Sequence, residues 1–115
     1  MSVTIYHNPR CSKSRETLAM LEEQGHKPQV IEYLQTPPDA QTLAAIVDKL
    51  GIPARKLLRT REDAYLENGL DNEKLTDAQI ISAIVKHPIL MERPIVLANG
   101  KAAIGRPPEN VLEIL

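Results

Sequence analysis

The chain has 115 residues, 43% of them hydrophobic, and a net charge of −1 at pH 7 with histidine neutral. That length fits one domain able to bury a core without staples, and the near-neutral balance argues against a polyanion-binding surface, so no nucleic-acid partner is expected. The single cysteine excludes an internal disulfide and any zinc site built from two or more cysteines. With no Phe and no Trp, the core must come from Leu, Ile, Val, Ala and three Tyr. No apolar run approaches about 18 residues and the start lacks a signal-peptide core, so no membrane contact is expected. A reducing, cytoplasmic setting follows, where a free thiol persists.

"VTIYH" alternates and is β-branched, which predicts a strand over residues 3–6. Asn8-Pro9 marks a turn. A helix is expected over 12–24, with Leu18 and Leu21 apolar and Gly25 as its stop. "PQVIEYL" gives a strand around 29–33, so the first three elements form a βαβ unit with parallel strands. "TPPDAQTLAAIVDKLG" is the clearest helix. Thr36 is its expected N-cap, with the prolines in the first turn; Leu43, Ile46, Val47 and Leu50 share a face, and Gly51 ends it.

A helical turn is expected at 54–58 and a short helix at 62–68, stopped by Gly69. Thr76 and Gln79 form a capping box for a helix with Ile80, Ile81, Ile84 and Val85 on its apolar face, closed by Pro88. The period then changes. Residues 95–98 and 102–104 read as strands joined by Asn99-Gly100, a strong hairpin signal. "RPPENVLEIL" begins a last helix with proline in its first turn. The order βαβ, helical stretch, ββα predicts a single α/β domain over 1–115. Its mixed sheet would have about four strands, with a helical insertion at about 36–92.

Cys11 stands where the first helix begins, and the free N–H groups of a helix start favour a thiolate. The first 15 residues carry three basic residues and no acid; the other hundred carry 11 basic and 15 acidic residues, a net −4. An ordinary thiol, with pKa about 8.5, is only a few per cent ionised near pH 7. Making it mostly thiolate needs roughly 2.7 kcal/mol, whereas a helix N-terminus supplies about 0.3–1 kcal/mol. A charged partner is required, with His7 or a nearby arginine as candidates. The alternative, a small buried hydrophobe, fits poorly with a polar, proline-bent loop.

Spacing narrows the chemistry. Ser14 occupies the position that a C-x-x-C dithiol would need. Thr17 stands where a C-x5-R phosphatase loop needs arginine, and Arg15 comes two residues short. What is left is C-x-x-S, a monothiol arrangement resolved by an external thiol. Arg59, Arg93 and Arg106 each stand at an element boundary, the last two before a proline. Three arginines could grip a tetrahedral oxyanion, though their spacing does not show that they converge. His26 is expected in an exposed turn, and His87 at a helix end, offsetting the dipole. Three scattered histidines make no metal site.

Five stretches taken together, "TIYHNPRCSKSRETL", "EYLQTPP", "LLRT", "HPILMERPIV" and "GRPPENVLEIL", resemble in order the glutaredoxin-coupled arsenate reductase family, the ArsC type. The resemblance spans nearly the whole chain and implies a thioredoxin-like fold. It implies that Cys11 attacks arsenate and forms a thiol-bound arsenic ester, while Arg59, Arg93 and Arg106 hold the oxyanion. His7 and Ser14 would favour the thiolate, and Pro94 would be a cis proline facing the cysteine loop. Glutathione would serve as co-substrate and glutaredoxin as protein partner, with no bound cofactor or metal and a monomeric enzyme. Well-studied arsenate reductases of the family continue past "VLEIL", and Arg10 and Lys13 flank this thiol. Two other readings stay open: a monothiol thiol transferase, and a non-enzymatic regulator of the same family that docks on a protein partner.

Overall fold

The alternating, β-branched start forms the first strand, β1 (Val3–His7), in the computed structural model, which describes residues 2–115. It is followed by α1 (Ser12–Glu23) and β2 (Gln29–Glu32). Then come α2 (Ala40–Leu50), a 3₁₀ turn (Ala54–Leu57), α3 (Asp63–Glu67), α4 (Asp77–Lys86) and a second 3₁₀ turn (Pro88–Leu90). The chain finishes with β3 (Ile95–Ala98), β4 (Lys101–Ile104) and a 3₁₀ segment (Pro108–Ile114).

These elements group into two compact units. The first joins residues 2–36 to Arg93–Leu115; the second is Pro37–Glu92. In the first, a four-stranded sheet has the order β2-β1-β3-β4. β1 runs parallel to β2, with His7 opposite Glu32, and antiparallel to β3, which pairs antiparallel with β4. The hairpin turn works because Asn99 and Gly100 both take positive φ, 55° and 73°, matching the twist of the strands they join. Val3, Ile5, Leu21, Val96, Ala98, Val111 and Ile114 form this unit's core, with α1 and the last 3₁₀ segment packed together.

In the second unit α2 packs on α4, burying Leu43, Ile46 and Val47 from one and Ile80, Ile81 and Ile84 from the other. Leu50 and Val85 are half-buried at the margin of the expected faces. The capping box is present: the Thr76 side chain accepts the Gln79 N–H at 3.2 Å, and Gln79 Oε1 accepts the Thr76 N–H at 2.8 Å. A bridge between Leu58 and Met91 closes the unit.

Three local expectations are corrected. Asp39, not Thr36, caps α2, its carboxylate accepting the Thr42 N–H at 2.8 Å. Thr36 instead donates its N–H to Glu32 at the end of β2, leaving Pro37 and Pro38 ahead of the helix. The stretch expected at 62–68 contracts to Asp63–Glu67, and no residue of it is buried, so no packed face extends it. The last segment is 3₁₀ rather than α, a short piece entered through Pro107 and Pro108.

Candidate active site

Cys11 is the N-cap residue of α1, in extended backbone at φ −94° and ψ 123°. Its loop is closed by Asn8, which is buried. The Asn8 carbonyl accepts the Cys11 N–H at 3.0 Å, and its side-chain oxygen accepts the Arg10 N–H at 3.0 Å. Arg15 reaches back from the helix to donate to the Pro9 carbonyl at 3.0 Å. Side-chain acceptance of nearby N–H groups is what asparagine does in turns, so "HNPR" was readable as a turn, but not as a buried one.

Beneath the thiol, Ser14 is completely buried. Its oxygen accepts the Asn8 N–H at 3.0 Å and lies 2.6 Å from His7 Nδ1. Burial pushes the His7 pKa down; Glu32 opposes this, Arg15 adds to it, and the net direction is downward. The ring is therefore neutral near pH 7, and it braces Ser14 rather than supplying charge.

The charge beside the sulfur comes from arginine. Arg106 Nη1 lies 3.7 Å from Cys11 Sγ and donates to the Arg93 carbonyl at 3.4 Å. Burial pushes the thiol up, but the Ser14 N–H, the Arg93 hydrogen bond and charge, and the Lys13 N–H outweigh it, so the Cys11 pKa falls below its ordinary value. The helix start and a guanidinium act together in the same direction.

The remaining expected residues sort by unit. The Arg93–Pro94 peptide bond is cis, and so is Arg106–Pro107, which no sequence signal marked. The Pro94 carbonyl accepts the Gly105 N–H at 2.9 Å. Arg59 belongs to the second unit, where its guanidinium donates to Glu92 at 2.8 Å and to Glu62 at 3.4 Å. Arg61 is exposed. His87 occupies the cap position at the end of α4, and His26 is half-buried in the turn after α1 rather than fully exposed. Two further buried residues, Thr17 and Gly105, touch each other behind the cysteine loop; neither was singled out as a site residue. Among the described residues no group of three or more His, Cys, Asp or Glu could hold a metal ion. No helix among them is long and apolar enough to cross a membrane.

A mixed four-stranded sheet, a cysteine with a lowered pKa at a helix start and a cis proline just ahead of the third strand define a protein of thioredoxin-like fold. Residues 6–114 match the model of the ArsC family, and the chain belongs to that family. An arsenate reductase of Neisseria meningitidis serogroup A is 54% identical over 114 residues, covering 98% of this chain and 97% of that protein. The uncharacterized protein YfgD of Escherichia coli K12 is 58% identical, covering 98% and 96%. The solved arsenate reductase from Vibrio cholerae has a TM-score of 0.97 at 53% identity, covering all of this chain and 98% of that one.

Proposed function

We propose that this protein is an oxidoreductase that reduces arsenate to arsenite through Cys11. The observation that carries the reading is a lowered thiol with Arg106 3.7 Å from its sulfur and Arg93 hydrogen-bonded to it, in a chain of the ArsC family. The Cys11 thiolate attacks As(V), and one arsenate oxygen, protonated, leaves as water. Glutathione displaces a second oxygen as water, so arsenic carries both sulfurs. A glutaredoxin thiolate then attacks the glutathionyl sulfur. The electron pair of that As–S bond stays on arsenic, which becomes As(III), and glutathione leaves as a mixed disulfide with glutaredoxin. Water releases arsenite and restores the Cys11 thiol.

Arg93 and Arg106 hold the oxyanion by charge-assisted hydrogen bonds, of about 1.5–3 kcal/mol each. Ser14, braced by His7, keeps the loop in its thiolate-favouring shape, and Pro94 borders it. The work is that of a monomer in the reducing cytoplasm.

The test is arsenite formation with glutathione and glutaredoxin. Cys11→Ser should lose at least about a thousandfold in rate, as removal of a nucleophile does. Equal turnover by the mutant removes Cys11 from the mechanism. Turnover with thioredoxin alone replaces the reductant but keeps the thiol chemistry. Activity on glutathionylated protein that arsenate does not inhibit moves the assignment to thiol transfer.

A further inference from the structure

Of the five glycines, four take positive φ and have open space where a Cβ would stand. Gly105 is the exception on both counts. Its backbone does not require glycine, but a Cβ there would lie 2.6 Å from Thr17 Oγ1, 2.8 Å from Pro94 Cγ and 3.1 Å from Thr17 Cγ2. Contacts under 3.0 Å are essentially never made by real Cβ atoms, so glycine is needed for room.

Three segments meet at this point. Thr17 is fully buried on α1, and its hydroxyl donates to the Lys13 carbonyl at 2.8 Å, with the Gly105 carbonyl at 3.4 Å. The Gly105 N–H donates to the Pro94 carbonyl at 2.9 Å, extending the β3–β4 ladder by one pair beyond Ile95 and Ile104. Each strand then continues into an arginine: Arg93 stands next to Pro94, and Arg106 next to Gly105. α1, in turn, carries Cys11 at its start. The distance at which the two strand ends rest on α1 is therefore set where Gly105 meets Thr17 and Pro94.

We infer that the crowded contact of Gly105 with Thr17 and Pro94 is a spacer that sets how closely Arg93 and Arg106 approach the Cys11 sulfur. Gly105 and Thr17 are then positioning residues for the thiolate. The inference rests on the reading of Cys11 as nucleophile and the arginines as its partners. It concerns thiol ionisation, which can be measured without arsenate.

The experiment titrates the Cys11 thiol by thiolate absorbance and by the pH profile of iodoacetamide alkylation, alongside thermal unfolding. Gly105→Ala should push the strand ends off α1 and raise the thiol midpoint, cutting the thiolate-to-thiol ratio at pH 7 by about threefold, which corresponds to half a pKa unit. Thr17→Ala removes the two Thr17 contacts that the new methyl would strike, so the double variant should regain part of the lost thiolate. A folded Gly105→Ala with an unchanged midpoint overturns the spacer, even if it melts earlier. Should Gly105→Ala not fold, Thr17→Ala decides the matter, because it removes the side-chain atoms that crowd Gly105. A downward shift, as the arginines close on the sulfur, supports the spacer, and an unmoved or raised midpoint overturns it. Failure of the wild type to reduce arsenate would sink the proposed function, while the titrations would still judge the spacer.

Discussion

The two units bury different kinds of side chain. In the second, every buried residue is apolar, from Leu43 and Ile46 through Ile80 and Ile84 to Leu90 and Met91. All four buried polar residues among those described, His7, Asn8, Ser14 and Thr17, fall within eleven consecutive positions of the first unit. Burying a polar group without a partner costs about 1–3 kcal/mol on mutational scales, so each of these is hydrogen-bonded. The arginines differ in the same way. Arg59 in the second unit is held by two carboxylates, whereas Arg106 in the first lies beside a thiol. An apolar core needs only volume and pattern. A polar one needs directions, and a chain accepts that demand where a site must be pre-organised.

The contrast can be broken by substitution. The largest effect belongs to the apolar unit: Ile84→Ala should cost about 2–5 kcal/mol of stability, as cavity-forming core truncations do. Denaturant unfolding measures that loss, and the Cys11 midpoint should match the wild type. Ser14→Ala comes next. It strips the acceptor from the Asn8 N–H and the partner from His7 Nδ1, and should cost about 1–3 kcal/mol. Unlike Ile84→Ala it should also move the thiol titration, and a stability loss with no such movement would reduce Ser14 to packing.

Arg93→Gln should have the smallest effect on stability and a clear one on charge. Arg93 holds the thiol pKa down, so its removal raises the midpoint toward the ordinary value. A rise of one unit, about 1.4 kcal/mol, would cut the thiolate-to-thiol ratio at pH 7 by about tenfold. An unmoved alkylation profile would mean that the helix-start N–H groups and Arg106 suffice without Arg93.

Much of the fold was legible because it rests on period and punctuation. Alternation marked β1, Asn99-Gly100 marked the hairpin, and the Thr76–Gln79 box marked the start of α4. Thr36 misled because two residues could cap α2, and the choice went to Asp39 once Thr36 was drawn into the turn after β2. The thiol itself was legible from its place before a helix. Its cationic neighbours were not, since Arg93 and Arg106 both lie far along the chain, Arg106 by 95 residues. Asn8 and Thr17 looked like ordinary polar residues because burial is a property of the packed chain.

By itself, then, the sequence determined the element order, the lone nucleophile and the absence of a second thiol, all local or countable properties. Only the tertiary structure decided which cation reaches the sulfur, that His7 is neutral and braces Ser14, and that Gly105 is glycine for lack of space. Each of these depends on distances between segments far apart in the chain, and on how much water burial removes from a group.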